Sequence, residues 1–333
     1  MQRKAPLPAM TSEAAPVHPA RGLTRKIMAS ALLGALIFAG LALYSDLPQL
    51  QQAAAHFSGR AFLWGLSLAT ANYALRVLRW NGYLRRLDID LPVGESALVF
   101  LSGFVMSVTP GKVGEVFKSL ILHESRGIPI ARTAPIVIAE RLTDLIALVL
   151  LTALGCLVFP SGPVIALAGA TIVGLIVLVV SHRGVAEFAL AVCARLPFIG
   201  RLTPRLRDAY ATLHALTRLG PMAMGTALAV IAWGMECVSM YLIAHGFVGV
   251  TLSLPAATFA YAASTIVGAL AMMPGGLGVT EVGMTGLLQT LGGAGMTAAV
   301  ASATTILVRV ATLWFAVAVG GLALAYHRAR SSR

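Results

Sequence analysis

Long uncharged apolar runs dominate the chain and predict a bundle of membrane-spanning helices. Each run approaches the roughly 20 residues that a helix needs to cross about 30 Å of hydrocarbon. The six runs cover 27–44, 61–80, 135–158, 163–181, 222–245 and 296–325. We therefore expect an all-α polytopic membrane protein with about six full transmembrane helices.

Two further apolar segments are interrupted near their middle by helix-breaking residues. The first break reads Thr-Pro-Gly-Lys at 109–112, and the second reads Met-Pro-Gly-Gly-Leu-Gly at 273–278. Proline and glycine in such a position end a helix. Because the two flanks of each segment match in charge character, each segment is expected to return to the face on which it starts. These patterns predict two re-entrant broken hairpins, one entering from each side of the membrane.

The order of elements repeats along the chain. A span, a Pro-Gly hairpin and a second span occur in 61–158 and again in 222–325. The hairpin glutamate precedes the span arginine by 26 residues in the first copy (141 − 115) and by 28 in the second (309 − 281). Inverted repeats of discontinuous helices are an architecture of secondary transporters. We expect an inverted repeat within one transmembrane domain, 27–325.

The composition excludes an ordinary soluble domain, because 58% of the residues are hydrophobic and only 11% are charged. The formal net charge of +12 raises the possibility of a nucleic-acid partner. However, Lys and Arg cluster at the ends of the apolar runs, which membrane topology requires and a nucleic-acid surface does not. We expect membrane lipids as partners and no nucleic acid. The sequence is compatible with a homodimer and with an envelope-enzyme partner.

The basic segments predict the orientation by the positive-inside rule. Arginine is abundant in the segment that starts at Arg76 and Arg79, in the loop 182–220 and in the tail 326–333. These segments and the Pro- and Ala-rich leader 1–26, which we expect to be disordered, are predicted to be cytoplasmic. The charge-poor segments 45–60, 159–162, 246–254 and 291–296 are predicted to face outward. We expect a bacterial cytoplasmic (inner) membrane protein with both termini inside.

The loop 182–220 has two interpretations. Its apolar positions alternate with Arg, which suits a helix lying on an anionic leaflet. A positive-inside loop without a further role is the alternative.

The first break is a candidate anion site. After Pro110 and Gly111, the unsatisfied N–H groups and the positive dipole end of a new helix are suited to an anion, and Lys112 adds a full charge. A nucleotide-binding loop is excluded because its spacing and its Ser or Thr are absent. The alternative for Lys112 and Lys118 is that both extend to the headgroups.

Ionisable residues inside the predicted spans are costly and need partners. Glu115 should pair with a cation, and Arg141 should pair with only one of Glu140 and Asp144, which leaves the other for Lys112 or Lys118. An ion-pair cluster that only fixes helix packing is the alternative. In the second half, Arg309 is expected to pair with Glu281 or Glu236. Ionisable residues from both halves are better explained by one polar cavity than by separate structural pairs.

The residues predicted to line this cavity or bind substrate come from both halves. They are Pro110, Gly111, Lys112, Gly114, Glu115, Lys118, Glu140, Arg141, Asp144, Glu236, Pro274, Gly275, Gly276, Gly278, Glu281 and Arg309. No cofactor is expected, and no metal site, because the seven His show no ligand spacing. Asp88-Ile-Asp90 resembles the acidic motif of some glycosyltransferases, but a turn between membrane segments is the better interpretation.

Taken together, these motifs resemble the flippase-like membrane family that includes the transmembrane domain of lysylphosphatidylglycerol synthetases. The resemblance covers about 27–325 and rests on the two Pro-Gly motifs in this order, with Glu-Arg-Leu-Thr-Asp at 140–144 between them. It implies a lipid-translocating domain with two re-entrant elements and a charged cavity. No aminoacyl-transferase domain follows the last span, so lipid aminoacylation is not expected.

We therefore expect translocation of an anionic lipid or a polyprenyl-phosphate-linked substrate, with the carboxylates either holding the cations or carrying coupling protons. The alternatives are a membrane-embedded lipid or glycan transferase, which would use Asp88 and Asp90, and a non-transporting scaffold for an envelope enzyme.

Overall fold

A computed structural model describes residues 19–109, 115–157, 159, 162–181, 184, 188 and 203–331. Every regular element within these ranges is a helix. The all-α class predicted from the apolar runs is therefore confirmed.

The described part of the chain begins with two helices, α1 (Pro19–Tyr44) and α2 (Leu47–Ala55). Their axes are bent by 98° relative to each other. Proline is well tolerated at the first position of a helix, where its missing N–H has no partner to lose. Helix α1 thus begins inside the leader that was predicted to be disordered, and residues 1–18 lie outside the described part. Helix α2 occupies much of the predicted outward loop 45–60.

The first half of the domain contains one long helix, two short ones and a second long one. These are α3 (Gly59–Arg86), α4 (Val93–Ser102), α5 (Phe117–Arg126) and α6 (Ile130–Cys156). A 3₁₀ turn, Gly103–Met106, extends α4 towards the break, whose residues 110–114 are not described. Helices α4 and α5 pack together, and Arg126 Nε donates a 2.8 Å hydrogen bond to Glu95 between them.

Two helices connect the halves, α7 (Gly162–Ser181) and α8 (Thr203–Leu216). Helix α8 packs on α6, so the end of the basic loop 182–220 is helical. Most of 182–202 lies outside the described residues, and the choice between a surface helix and a simple loop therefore stays open.

The second half repeats the order of the first. Its elements are α9 (Leu219–Ala244), α10 (Leu254–Leu270), α11 (Val279–Leu291), α12 (Ala298–Arg309) and α13 (Phe315–Ser331). Helix α10 begins where the Ser253 side chain accepts from Ala256 N. Between α10 and α11 the chain makes a 3₁₀ turn, Pro274–Gly276, and a π-helical turn, Val310–Trp314, joins α12 to α13.

The two halves are interlocked. Helices α3 and α9 pack along each other, while α6 packs on α10 and α13 packs on α4 and its 3₁₀ turn. The apolar clusters also contain residues from both halves. Leu148 of α6 belongs to a cluster formed mainly by the second half, and Leu324 of α13 belongs to a cluster formed mainly by the first half. Each half therefore completes the core of the other.

The outer faces of the helices are apolar, as a hydrocarbon solvent requires. Large exposed side chains include Leu36, Leu63, Val164, Ile172 and Leu322. Within the described part of the chain, two helices are both long and apolar enough to cross a membrane, Leu219–Ala244 and Ala298–Arg330. The bent pair Ala31–Tyr44 and Pro48–Ala55 makes a third if it counts as one span.

The predicted count of about six spans is thus not confirmed. Helices α3 and α6 have 28 and 27 residues, but they carry buried ionisable groups that lower their hydropathy.

The contact between α13 and the first half yields a test. A Cβ added at Gly320 would lie 2.5 Å from Val105 N, whereas one added at Gly321 meets nothing within 4 Å. We expect Gly320→Ala to lower the free energy of unfolding by about 1–3 kcal/mol, because the clash is with backbone. Gly321→Ala, the matched control, should be neutral or slightly stabilising, since alanine favours a helix. Thermal melting in detergent measures both; equal melting temperatures would contradict the close packing.

Candidate functional site

A cavity of about 310 Å³ lies between the two halves. Its polar lining comes from both halves, and its apolar lining comes largely from α10 and the break after it. The charged and hydroxyl-bearing residues are Tyr73, Arg76, Ser107, Glu115, Arg141, Asp144, Glu236, Tyr261, Thr265, Thr280, Arg309 and Thr312. The apolar residues include Leu145, Ile266, Leu270, Met272 and Leu313. The cavity therefore has a polar side and an apolar side.

Asp144 is the centre of the cationic side. Arg79 donates to Asp144 Oδ1 at 2.7 Å, while Arg141 and Arg76 approach Oδ2 at 3.0 and 3.5 Å. Arg141 also contacts Glu115 at 3.0 Å. Helical spacing accounts for this geometry, because Arg76 and Arg79 are one turn apart on α3 and Arg141 and Asp144 are one turn apart on α6. Three guanidinium groups thus converge on one buried carboxylate.

The arginine donors at the cavity wall are only partly satisfied. Arg76 Nε and Arg141 Nε are buried and make no hydrogen bond, while Arg76 Nη2 has only the 3.5 Å contact with Asp144 Oδ2. Arg76 also lies over the Trp233 ring, at 4.9 Å from its centroid, which holds the guanidinium at the cavity wall. The Arg141 side chain is 27% exposed, so its charge reaches the open space.

Lys118 and Glu140 form a separate buried pair behind the cavity wall, with Nζ 2.6 Å from Oε2. The ammonium group also faces the rings of Trp80 and Phe100 at 4.7 and 4.6 Å. Lys118 is only 2% exposed, so it does not extend to the headgroups. Arg141 thus pairs with Asp144 and leaves Glu140 to Lys118, one of the two lysines expected for the remaining carboxylate, but neither Lys118 nor Glu140 lines the cavity.

In the second half, Arg309 pairs with Glu281 at 2.5 Å, one of the two counter-ions predicted for it. Glu281 also accepts from Gly278 N at 2.6 Å, at the start of α11. A second Arg309 nitrogen donates to Gly275 O at 2.7 Å. The arginine thus binds both ends of the break and fixes its shape.

Glycine is required in this break for conformational reasons. Gly275, Gly276 and Gly278 have φ values of 62°, 70° and 88°, a region that side chains with a Cβ rarely enter. Gly275 and Gly276 line the cavity, whereas Pro274, Gly278 and Glu281 are not part of its lining.

The π-helical turn contributes a further link between the halves. Such turns contain an unusual backbone hydrogen-bond pattern and are frequent at functional sites. Thr312 lies in this turn, and its carbonyl accepts a 3.1 Å hydrogen bond from the Tyr73 hydroxyl of α3. The middle of the last span is thereby fixed to the first half at the cavity wall.

Glu236 reaches the cavity from α9 but makes a different set of contacts. Asn72 Nδ2 donates to its Oε1 at 3.0 Å, and the Tyr261 hydroxyl donates to its Oε2. It is not the counter-ion of Arg309, the alternative role that the sequence left open for it.

Sequence reasoning assigned Arg76 and Arg79 to a cytoplasmic segment, and this was wrong. Helix α3 continues to Arg86, and Arg79 is 1% exposed. A signal was present, because Asn72, Arg76 and Arg79 recur at helical spacing and form a polar stripe on one face. The positive-inside rule counts arginines and does not consider the face on which they lie.

Several predicted residues are not tested. Pro110, Gly111, Lys112 and Gly114 lie outside the described residues. The anion site at the first break therefore remains a prediction.

Asp88 and Asp90 are exposed in the connection between α3 and α4, as expected for a turn. Among the residues that the structure describes, no group of three His, Cys, Asp or Glu is arranged to hold a metal.

Comparison with known proteins identifies the family of this chain. The family model of the lysylphosphatidylglycerol synthase TM region matches residues 31–320. The chain belongs to this family. A relative named UPF0104 membrane protein, from Methanothermobacter thermautotrophicus, is 26% identical over 269 residues, which cover 75% of this chain and 78% of the relative. The resemblance inferred from the motifs is confirmed, and this family member is a membrane protein.

The buried pair behind the cavity yields a test. Lys118→Met leaves the Glu140 carboxylate buried without its cation and should cost about 3–5 kcal/mol of unfolding free energy. The double variant with Glu140→Met should recover most of that loss, because no buried charge remains unpaired. Chemical unfolding in detergent measures the cycle.

The control is Arg126→Met at the exposed pair with Glu95, where little change is expected. A Lys118→Met variant as stable as the Arg126→Met variant would contradict the buried ion pair.

Proposed function

We propose that this protein moves an anionic lipid between the two leaflets of the membrane, with the headgroup in the central cavity. The observation that carries the proposal is the joint lining of the cavity: Arg76 and Arg141 come from the first half and Arg309 from the second. Transporters of this type place their substrate between two repeats and expose it to each face in turn.

The polar side of the cavity suits a phosphate group. Guanidinium groups recognise phosphate through paired, charge-assisted hydrogen bonds. Arg76 and Arg141 line the cavity, and their guanidinium groups are the ones that such an anion would contact. The apolar side, with Ile266, Leu270 and Met272, suits the glycerol and the first carbons of an acyl or prenyl chain.

The proposed architecture is an inverted repeat of 61–158 and 222–325, in a domain of about six spans with two re-entrant hairpins. The similar order of helices in the two halves and their reciprocal packing support it. In this arrangement α3 and α9 pack along each other between the halves. The two hairpins that contain the breaks enter the membrane from opposite faces.

The orientation follows from the distribution of charge. We place both termini in the cytoplasm of a bacterial cell, because the basic segments lie on that side in the proposed topology. The charge then favours contact of this face with anionic headgroups. In this proposal the protein is a transporter and does not transfer an aminoacyl or glycosyl group.

The test is the movement of fluorescent phosphatidylglycerol in proteoliposomes, with fluorescent phosphatidylcholine as the zwitterionic comparison. We expect the native protein to move the anionic lipid faster. Arg141→Gln and Arg76→Gln should each lower the rate by about tenfold or more, the loss expected for one charge-assisted hydrogen bond of about 1.5–3 kcal/mol. Size-exclusion chromatography checks that the variants fold.

The matched control is Arg85→Gln, because Arg85 lies on the same helix as Arg76 but is exposed outside the cavity. It should retain the native rate. A native protein that moves neither lipid would refute transport and favour a scaffold or a transferase. Equal losses in Arg85→Gln and Arg76→Gln would show that the cavity has no special role.

A further inference from the structure

Five buried carboxylates surround the cavity, and the structure separates one of them from the others. Asp144, Glu115, Glu140 and Glu281 each lie within 4 Å of an Arg or Lys nitrogen. Glu236 has no ion pair with any described residue, although it is only 7% exposed. A buried carboxylate without a cation is costly when ionised, so its charge state needs an explanation.

The groups that face Glu236 come from every helix packed around it. They are Asn72, Tyr73 and Arg76 on α3, Cys237 on α9, Tyr261 on α10, Arg309 on α12, and Arg141 and Asp144 across the cavity on α6. The nearby cations are held elsewhere, because Arg309 binds Glu281 and Gly275 while Arg76 faces Asp144 and Trp233. Among the described residues, Glu236 therefore has hydrogen-bond partners but no ion-pair partner.

These neighbours suit both charge states of the carboxyl group. When Glu236 is ionised, Tyr261 and Asn72 supply donors to its two oxygens. When it is protonated, its O–H needs an acceptor. The Tyr261 hydroxyl, which already contacts Oε2, can accept it through its oxygen, while Asn72 Nδ2 stays bound to both Oε1 and Ala232 O. The site can therefore hold the residue with or without a proton.

The charge balance of the described part of the site depends on this one proton. Among the described residues in and behind the cavity wall, five cations face five carboxylates: Arg76, Arg79, Lys118, Arg141 and Arg309 against Glu115, Glu140, Asp144, Glu236 and Glu281. The balance is neutral when Glu236 is ionised and is +1 when it is protonated. A monoanionic phosphodiester then restores neutrality, and a buried site favours neutrality.

We propose that Glu236 is the coupling-proton site: one proton binds its carboxylate when a monoanionic headgroup enters, and the same proton leaves when the headgroup departs on the other face. The inference rests on the proposed transport of an anionic lipid and names its coupling ion. Glu236 acts here as a carrier of charge, while the arginines bind the phosphate. The net movement is one proton with one monoanion, which transfers no net charge.

The test uses proteoliposomes with fluorescent phosphatidylglycerol and an entrapped pH-sensitive dye. For the native protein we expect transport to be roughly fivefold or more faster at about pH 6 than at about pH 8, because the proton is a co-substrate in this proposal and its concentration is about 100-fold higher at pH 6. An imposed pH gradient should drive the lipid in the direction of proton flow. The dye should record about one proton per lipid moved, a measurement that needs no variant.

Glu236→Gln should keep lipid movement but lose the response to pH and to the gradient, because glutamine mimics the protonated state. Glu236→Asp should keep the response at a lower rate. The matched control is Glu124→Gln, an exposed carboxylate on α5, which should behave like the native protein.

Two failures are distinguishable. If the native protein moves lipid without proton uptake, or if Glu236→Gln still responds to the gradient, the coupling role is refuted and transport stands. If the native protein moves no lipid at any pH, the transport proposal falls and the coupling role falls with it.

Discussion

Asp144 is contacted by arginines from two helices while it is almost completely removed from solvent. An isolated carboxylate in this position would be very costly, and so would any one of the arginines. Arg79 fixes it from α3, and Arg141 links it to Glu115 at the start of the segment that leads into α5. The site therefore depends on α3, α6 and the first break being assembled together, because none of these charges is tolerable alone.

In the second half, fewer charged groups neutralise each other in the interior. Arg309 has one carboxylate partner, Glu281, and a second nitrogen of its guanidinium group donates a hydrogen bond to a backbone carbonyl of the break. Because this carbonyl is available only where the helix is interrupted, the broken helix and the buried arginine depend on each other. The first half carries its extra arginines in α3, which makes the cavity asymmetric in charge.

Much of this organisation could be predicted from the sequence. The apolar runs predicted the helical class, Pro-Gly marked the second break, and the cost of burying charge limited the expected partner of Arg309 to Glu281 or Glu236. Arg76 and Arg79 were assigned to the wrong environment, because composition alone does not distinguish an arginine at a membrane surface from one on an inward helix face. The contacts of Glu236 with Asn72 and Tyr261 join residues 164 and 25 positions apart, which no local pattern reveals.

The π-helical turn at Val310–Trp314 allows one continuous helix to contact two neighbours, the second break and the 3₁₀ turn after α4. In an uninterrupted α-helix, Arg309 and Gly320 would be separated by almost three full turns and would project from nearly the same side. A π turn accommodates one additional residue, which rotates the following side chains by roughly 100°. Arg309 can then point at the break while Gly320 lies against the backbone of Phe104 and Val105. If the same residues formed a regular α-helix, the two side chains would return to nearly the same side of the helix, and these two contacts would be out of phase.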